Sequence, residues 1–149
     1  KPFPFSKITM EASKSVFNYV ACDNNYEAEF ARFLENSDDV VAFAKLPIQF
    51  GFSIQYTDKV ANIRHYYPDF VVKLDNGKHW IIETKGREDV EVALKDAAAI
   101  NWCDRATELT DTEWNYIKVM QKDFEGLRPS NIGELTIALF KQQEKMILE

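Results

Sequence analysis

The feature that most constrains this chain is a pair of apolar runs, Phe70–Leu74 (FVVKL) and His79–Thr84 (HWIIET), separated only by Asp75-Asn76-Gly77-Lys78. Both runs are rich in β-branched and aromatic residues, and Asn-Gly is the dipeptide that best tolerates the positive φ angles of a type I′ turn. The expected element is an antiparallel β-hairpin. Asp69 opens its first strand just after Pro68, and Glu83 and Lys85 close its second, so the pairing returns distant positions to one end of a sheet. Residues two apart on a strand share a face, which sends Glu83 and Lys85 to one side and Thr84 to the other. Strands as apolar as these are largely buried, and charges at the ends of buried strands are where α/β sheets place their sites.

Two carboxylates and an ammonium gathered in this way match the needs of phosphodiester hydrolysis. That reaction takes hard oxygen ligands for Mg²⁺, a polarised phosphoryl group, an activated water and a cation near the developing charge. The main-chain carbonyl of Thr84 is a candidate additional ligand. The residues alone leave a second reading open, in which Glu83 and Lys85 are a same-face ion pair at a strand end and nothing is catalysed.

The rest of the chain supplies elements to surround the hairpin. Ser15–Ala21 (SVFNYVA) reads as a strand. Tyr26–Asn36 has helical spacing through Phe30, Phe33 and Leu34, with Asp23 and Asn24 as capping residues. Val40–Leu46 and Phe50–Tyr56 read as strands parted by Pro47, and the polar stretch Thr57–His65 reads as a loop. Beyond Gly86, Glu88–Arg105 has helical composition with an acidic first turn that suits the helix dipole. Trp114–Gln121 alternates like a strand. A last helix runs through Leu148, capped by Ser130 or Asn131 with Glu134 placed for a capping box. From Tyr26 onward the order predicts an α/β fold with a mixed β-sheet flanked by helices.

At 149 residues and 46% apolar content, the chain suits a single domain, residues 1–149. Because it starts at Lys1, we expect a piece excised from a larger polypeptide, with residues 1–14, which contain Pro2 and Pro4, as a linker remnant. No stretch approaches the roughly 18 apolar residues of a membrane span, and no signal peptide is evident, so the expected setting is cytoplasmic, without membrane contact. Cys22 and Cys103 lie far apart and outside any CxxC spacing, as expected of reduced thiols rather than a zinc site. The net charge of −6 departs from the basic surface usual in nucleic-acid enzymes. Its distribution is uneven: Lys59–Lys95 carries seven basic residues against six acids, a net of +1, which leaves −7 for the remainder. Much of any DNA affinity is therefore expected to come from attached domains.

Pro68-Asp69 followed by Glu83-Thr84-Lys85-Gly86 resembles the PD-(D/E)xK nuclease signature, and the helix–strands–hairpin–helix–strand order resembles that superfamily's restriction-endonuclease-like αβββαβ core. More narrowly, Val20–Trp102 resembles the C-terminal endonuclease domain of the restriction subunit of type III restriction-modification enzymes. The matching pieces are Tyr26–Ala31 with Leu34-Glu35, then Ala44-Lys45-Leu46-Pro47, Tyr67-Pro68-Asp69-Phe70, Ile82–Gly86, and Lys95 and Ala98 with Trp102-Cys103. The resemblance implies a Mg²⁺-dependent DNA endonuclease, with Mn²⁺ as a substitute, acting on double-stranded DNA. Asp69 and Glu83 would be metal ligands, and Lys85 would position water or stabilise the transition state. It further implies an attached helicase-like motor, which alone would use ATP, and a methyltransferase/recognition subunit as partner.

Superfamily members often carry a helical acid near the metal. Glu27, on the apolar stripe of the first helix, is the candidate, with Glu29 as substitute; the alternative for Glu27 is a capping box with Asn24. Arg87 and Lys95 are candidate phosphate contacts, each with a solvated-surface alternative. Tyr66 and Tyr67 are candidates for stacking on bases or for core packing. His65 and His79 are expected to be structural or exposed, and Trp80, Trp102 and Trp114 to be core. Two other functions stay open: another PD-(D/E)xK nuclease (a resolvase, repair or transposon-end enzyme), or a nuclease-like interaction module that does not cut.

Overall fold

A computed structural model describes residues 8–87 and 92–148. Its centre is the expected hairpin, β6 (Phe70–Leu74) against β7 (His79–Lys85), in register from Phe70–Ile82 to Lys73–His79. The turn departs from expectation. Gly77 alone has a positive φ, 84°, and its N–H donates to the Leu74 carbonyl, while Asn76 uses its side chain to accept from the Lys78 N–H. This is a type I turn followed by a left-handed glycine rather than a two-residue type I′ turn, so only one position needs the left-handed region.

Around the hairpin the sheet is completed by β3 (Val40–Lys45), antiparallel to β6, and β8 (Trp114–Met120), parallel to β7. The spatial order is β3-β6-β7-β8, a mixed sheet. The parallel pair requires a crossover, which α2 (Val92–Leu109) supplies. Residues 88–91, the expected acidic first turn of this helix, lie outside the described residues. On the opposite face pack α1 (Asn25–Asn36) and α4 (Ile132–Leu148).

Side-chain alternation on β7 separates two cores. Trp80 and Ile82 face α1 and α4, joining Phe30, Leu34, Phe43, Phe70, Ile132 and Leu135. Ile81 faces α2, joining Ile54, Tyr66, Ala99 and Cys103, with Trp102 and Trp114 packed alongside. Thus Trp80 is buried as expected, while Trp102 and Trp114 line the second core half-exposed. Cys22 and Cys103 are free thiols on opposite faces of the sheet. Among the described residues, no helix is long and apolar enough to cross a membrane.

Four local expectations need correction. The strand expected at Ser15–Ala21 is instead β2 (Tyr19–Cys22), preceded by an isolated bridge from Ser15 to Phe43. Its partner is β1 (Ile8–Glu11), within the supposed linker remnant; Glu35 then fixes the following turn by accepting from the Ser13 and Lys14 N–H groups. Phe50–Tyr56 is not one strand: a 3₁₀ turn at Ile48–Phe50 ends on left-handed Gly51, and β4 (Ile54–Thr57) begins later. The loop expected over Thr57–His65 contains β5 (Ile63–Tyr66), which pairs with β4; the buried Asp58 carboxylate holds their connection by accepting from the Val60 and Asn62 N–H groups and from Arg64.

At the C-terminal end, β8 runs directly into α3 (Gln121–Leu127), an element not expected from the sequence because Met120 offers no side-chain cap. Asn131 caps α4 by accepting from the Glu134 N–H at 2.9 Å. The Asp39 carboxylate adds acceptors for the Ile132 and Gly133 N–H groups, fastening the start of α4 to the turn before β3.

Candidate active site

The hairpin ladder ends at Phe70–Ile82, so Asp69 and Glu83 follow directly on adjacent strands. Asp69 is locked in place. Its Oδ2 accepts from both the N–H and the Oγ1 hydroxyl of Thr84, each at 3.0 Å. Thr84 is buried, and because N–H and C=O of one strand residue point to the same neighbour, its carbonyl shares the side of Asp69.

Glu83 points to the other face with Lys85, into a narrow cleft shared with Tyr66, Lys95, Tyr116 and Lys118. The Tyr66 hydroxyl donates to Glu83 Oε2 at 2.6 Å, a short bond from a buried ring. Removal from water, and then the negative charge of Asp69, push the Glu83 carboxyl up to about 8, although Tyr66, Lys85 and Lys95 pull the other way. Two neighbouring carboxylates thus disfavour each other's charge. Lys95 is therefore a member of this cleft rather than a distant solvated residue. It neighbours Asp96, which accepts from Tyr116 at 2.6 Å and pairs with Lys118 at 2.7 Å. Arg87 is exposed just beyond the end of β7.

Glu27 takes the capping position and also faces the sheet. Its N–H donates to Asn24 Oδ1 at 2.9 Å and its Oε1 accepts from the Asp23 N–H at 2.8 Å, which is a capping arrangement. Yet the side chain is buried and faces the sheet, where Lys45 Nζ lies 3.4 Å away. Burial, foremost, raises the Glu27 pKa above the ordinary carboxylate value. Glu29 is exposed and away from this cluster.

Lys45 is the residue that sequence reasoning missed. It ends β3 opposite Phe70, which sets its ammonium 3.7 Å from Asp69 Oδ1. Burial works against its charge, but Asp69, Glu27 and Asp23 more than offset this and hold its pKa above the usual lysine value. The available signal was a charge closing the apolar run Val-Val-Ala-Phe-Ala-Lys, the same signal that marked Glu83. Tyr66 was foreseen only as a stacking or core residue; it is buried, and the contact that matters is its hydroxyl on Glu83. Tyr67 is exposed. His65 is exposed against Ser53, and His79 stacks on Trp114 at 4.7 Å; neither stands in the cluster.

Among the described residues no three Asp, Glu, His or Cys side chains converge as a ligand cage. The donor set is instead two carboxylates with a main-chain carbonyl nearby. Oxygen donors of this kind are the chemistry that Mg²⁺ takes, commonly one or two carboxylates together with waters and substrate phosphates.

A mixed sheet flanked by helices, with Asp69, Glu83 and Lys85 placed at one end of its central hairpin, is the architecture of the restriction-endonuclease-like class of α/β domains. The chain belongs to the endonuclease domain family, whose model matches residues 13–137. The domain is accordingly a nuclease, with DNA as its substrate. No curated protein and no solved structure matches the chain.

Proposed function

We propose that this domain is a Mg²⁺-dependent endonuclease cutting double-stranded DNA, with Mn²⁺ as a competent substitute. It serves as the cytoplasmic cutting module of a larger type III restriction enzyme, residues 1–149 being its nuclease domain. An attached helicase-like motor consumes the ATP, and a methyltransferase subunit recognises the sequence. The observation that carries the metal-dependent reading is the pairing of Asp69 with Glu83 at the hairpin end, two carboxylates whose mutual repulsion a cation relieves. The type III setting is supported by the pieces from Tyr26 to Cys103 that resemble that family, and by a charge of −6, which leaves DNA affinity to neighbouring domains.

In this reading Asp69, Glu83 and the Thr84 carbonyl hold the metal. When bound, Mg²⁺ polarises the scissile phosphate and acidifies a coordinated water. Lys85, on the face of Glu83, orients the attacking water and faces the charge that develops on the phosphoryl oxygens. Glu27 acts from α1 through Lys45, keeping Asp69 aligned. Arg87 and Lys95 contact backbone phosphates flanking the cut.

Calorimetric titration of Mg²⁺ and Mn²⁺ into the chain and into Asp69→Ala/Glu83→Ala tests the reading. Binding only to the unsubstituted chain is the expected result. No binding by either metal, even with duplex DNA present, would overturn it in favour of a nuclease-like interaction module, the reading that the acidic balance otherwise favours.

Tyr66→Phe isolates one supporting contact. The ring stays in its core while Glu83 loses its only hydroxyl donor among the bonds described. Metal affinity is expected to fall by roughly 10- to 100-fold, as for other residues that orient a metal ligand. Thermal denaturation with chelator present is expected to show a much smaller change; equal metal affinities would remove Tyr66 from the site.

A further inference from the structure

The cluster on the α1 side of Asp69 has a geometry that aligning Asp69 does not by itself require. Lys45 Nζ lies 3.4 Å from Glu27 Oε1, 3.7 Å from Asp69 Oδ1 and 3.9 Å from Asp23 Oδ2. These separations exceed the roughly 2.7–2.9 Å of a direct charge-assisted hydrogen bond. The ammonium gives Glu27 one long hydrogen bond and faces the Asp69 and Asp23 carboxylates from slightly further off, a cation shared among three acids. It is also held there: the side chain is only 9% exposed, and Nζ lies 5.9 Å from the centre of the Phe70 ring.

Nucleases with two metal ions place them about 3.5–4 Å apart, so that one carboxylate serves both. In this site Asp69 is the carboxylate with acids on both sides. Glu83 follows on the neighbouring strand, where the proposed metal would bind, and Glu27 stands on the other side across Lys45. A second divalent ion shared by Asp69 and Glu27 would need the space and the charge that the Lys45 ammonium already supplies. We propose that Lys45 takes the place of a second metal ion, so that the site loads one divalent cation per chain. This inference rests on the metal-dependent reading above and deepens it: the second positive charge is covalently built in, on a strand whose register with Phe70 fixes its position.

The test is a count of bound Mn²⁺ by electron paramagnetic resonance, with excess duplex DNA present. One ion per chain is expected for the unsubstituted protein and for Lys45→Arg, which keeps the charge. Two are expected for Lys45→Met, which keeps the length of the side chain and removes its charge. Two ions in the unsubstituted protein would overturn the inference while leaving the metal-dependent reading intact, whereas none would overturn that reading itself. One ion in folded Lys45→Met would likewise overturn the inference. A Lys45→Met chain that folds only on adding Mn²⁺ supports it, because the metal has then replaced the ammonium; a chain that stays unfolded at saturating Mn²⁺ counts against it.

Discussion

Lys85→Met is expected to slow DNA cleavage by roughly 10²- to 10³-fold, the usual loss when one group aimed at developing charge is removed. The substitution keeps a flexible side chain of similar length at the half-buried end of β7, so the hairpin and its core should be little disturbed. What it deletes is the cation that shares the face of Glu83. Single-turnover cleavage at saturating Mg²⁺ is the measurement, read beside Mn²⁺ affinity. If Lys85 acts on the transition state, turnover collapses while affinity moves far less, since the two carboxylates are still present. Unchanged turnover would make Lys85 an ordinary strand-end charge. A parallel loss of affinity and turnover would instead mean that it acts by tuning Glu83, whose proton affinity it already lowers.

The parts of this fold legible in the sequence were those whose signals are local. The hairpin could be read because β-branched and aromatic apolar runs flank a turn, and the placing of Asp69, Glu83 and Lys85 at its end could be read because charges at the ends of such runs are conspicuous. β5 was not legible: three of its four side chains, Ile63, Arg64 and His65, are exposed, so no buried face imposes alternation on it. β1 is equally obscure, a four-residue strand with no buried residue that is held by β2 rather than by its own pattern. The working contacts of Lys45, Tyr66 and Asp39 span 18, 17 and 93 residues or more. They depend on which strands pair and in what register, and a single sequence carries that information only through the completed fold.

Glu83→Gln is expected to abolish metal-dependent cleavage and yet to make the metal-free protein more stable at alkaline pH. In an unfolded chain a glutamate titrates near 4.3, whereas burial and Asp69 raise it to about 8 in the fold. Below the unfolded value both states hold the proton and the site carries no penalty. As pH rises through the window between the two values, the unfolded chain releases its proton while the folded chain keeps it, so the fold loses stability, a loss complete above about 8. Glutamine is neutral throughout and escapes this loss while still offering an oxygen to the Tyr66 hydroxyl. Thermal unfolding with chelator should therefore give nearly equal midpoints for the two proteins at pH 4 and a midpoint several degrees higher for the variant at pH 9. Adding Mg²⁺ at pH 9 should reverse the order, because a ligand that binds only the folded state stabilises only the protein that can hold it. A variant less stable at pH 9 without metal would mean that the Glu83 charge is already compensated within the fold, by Lys85 and Lys95, and that the hairpin end is a satisfied ion network rather than a site poised for a cation.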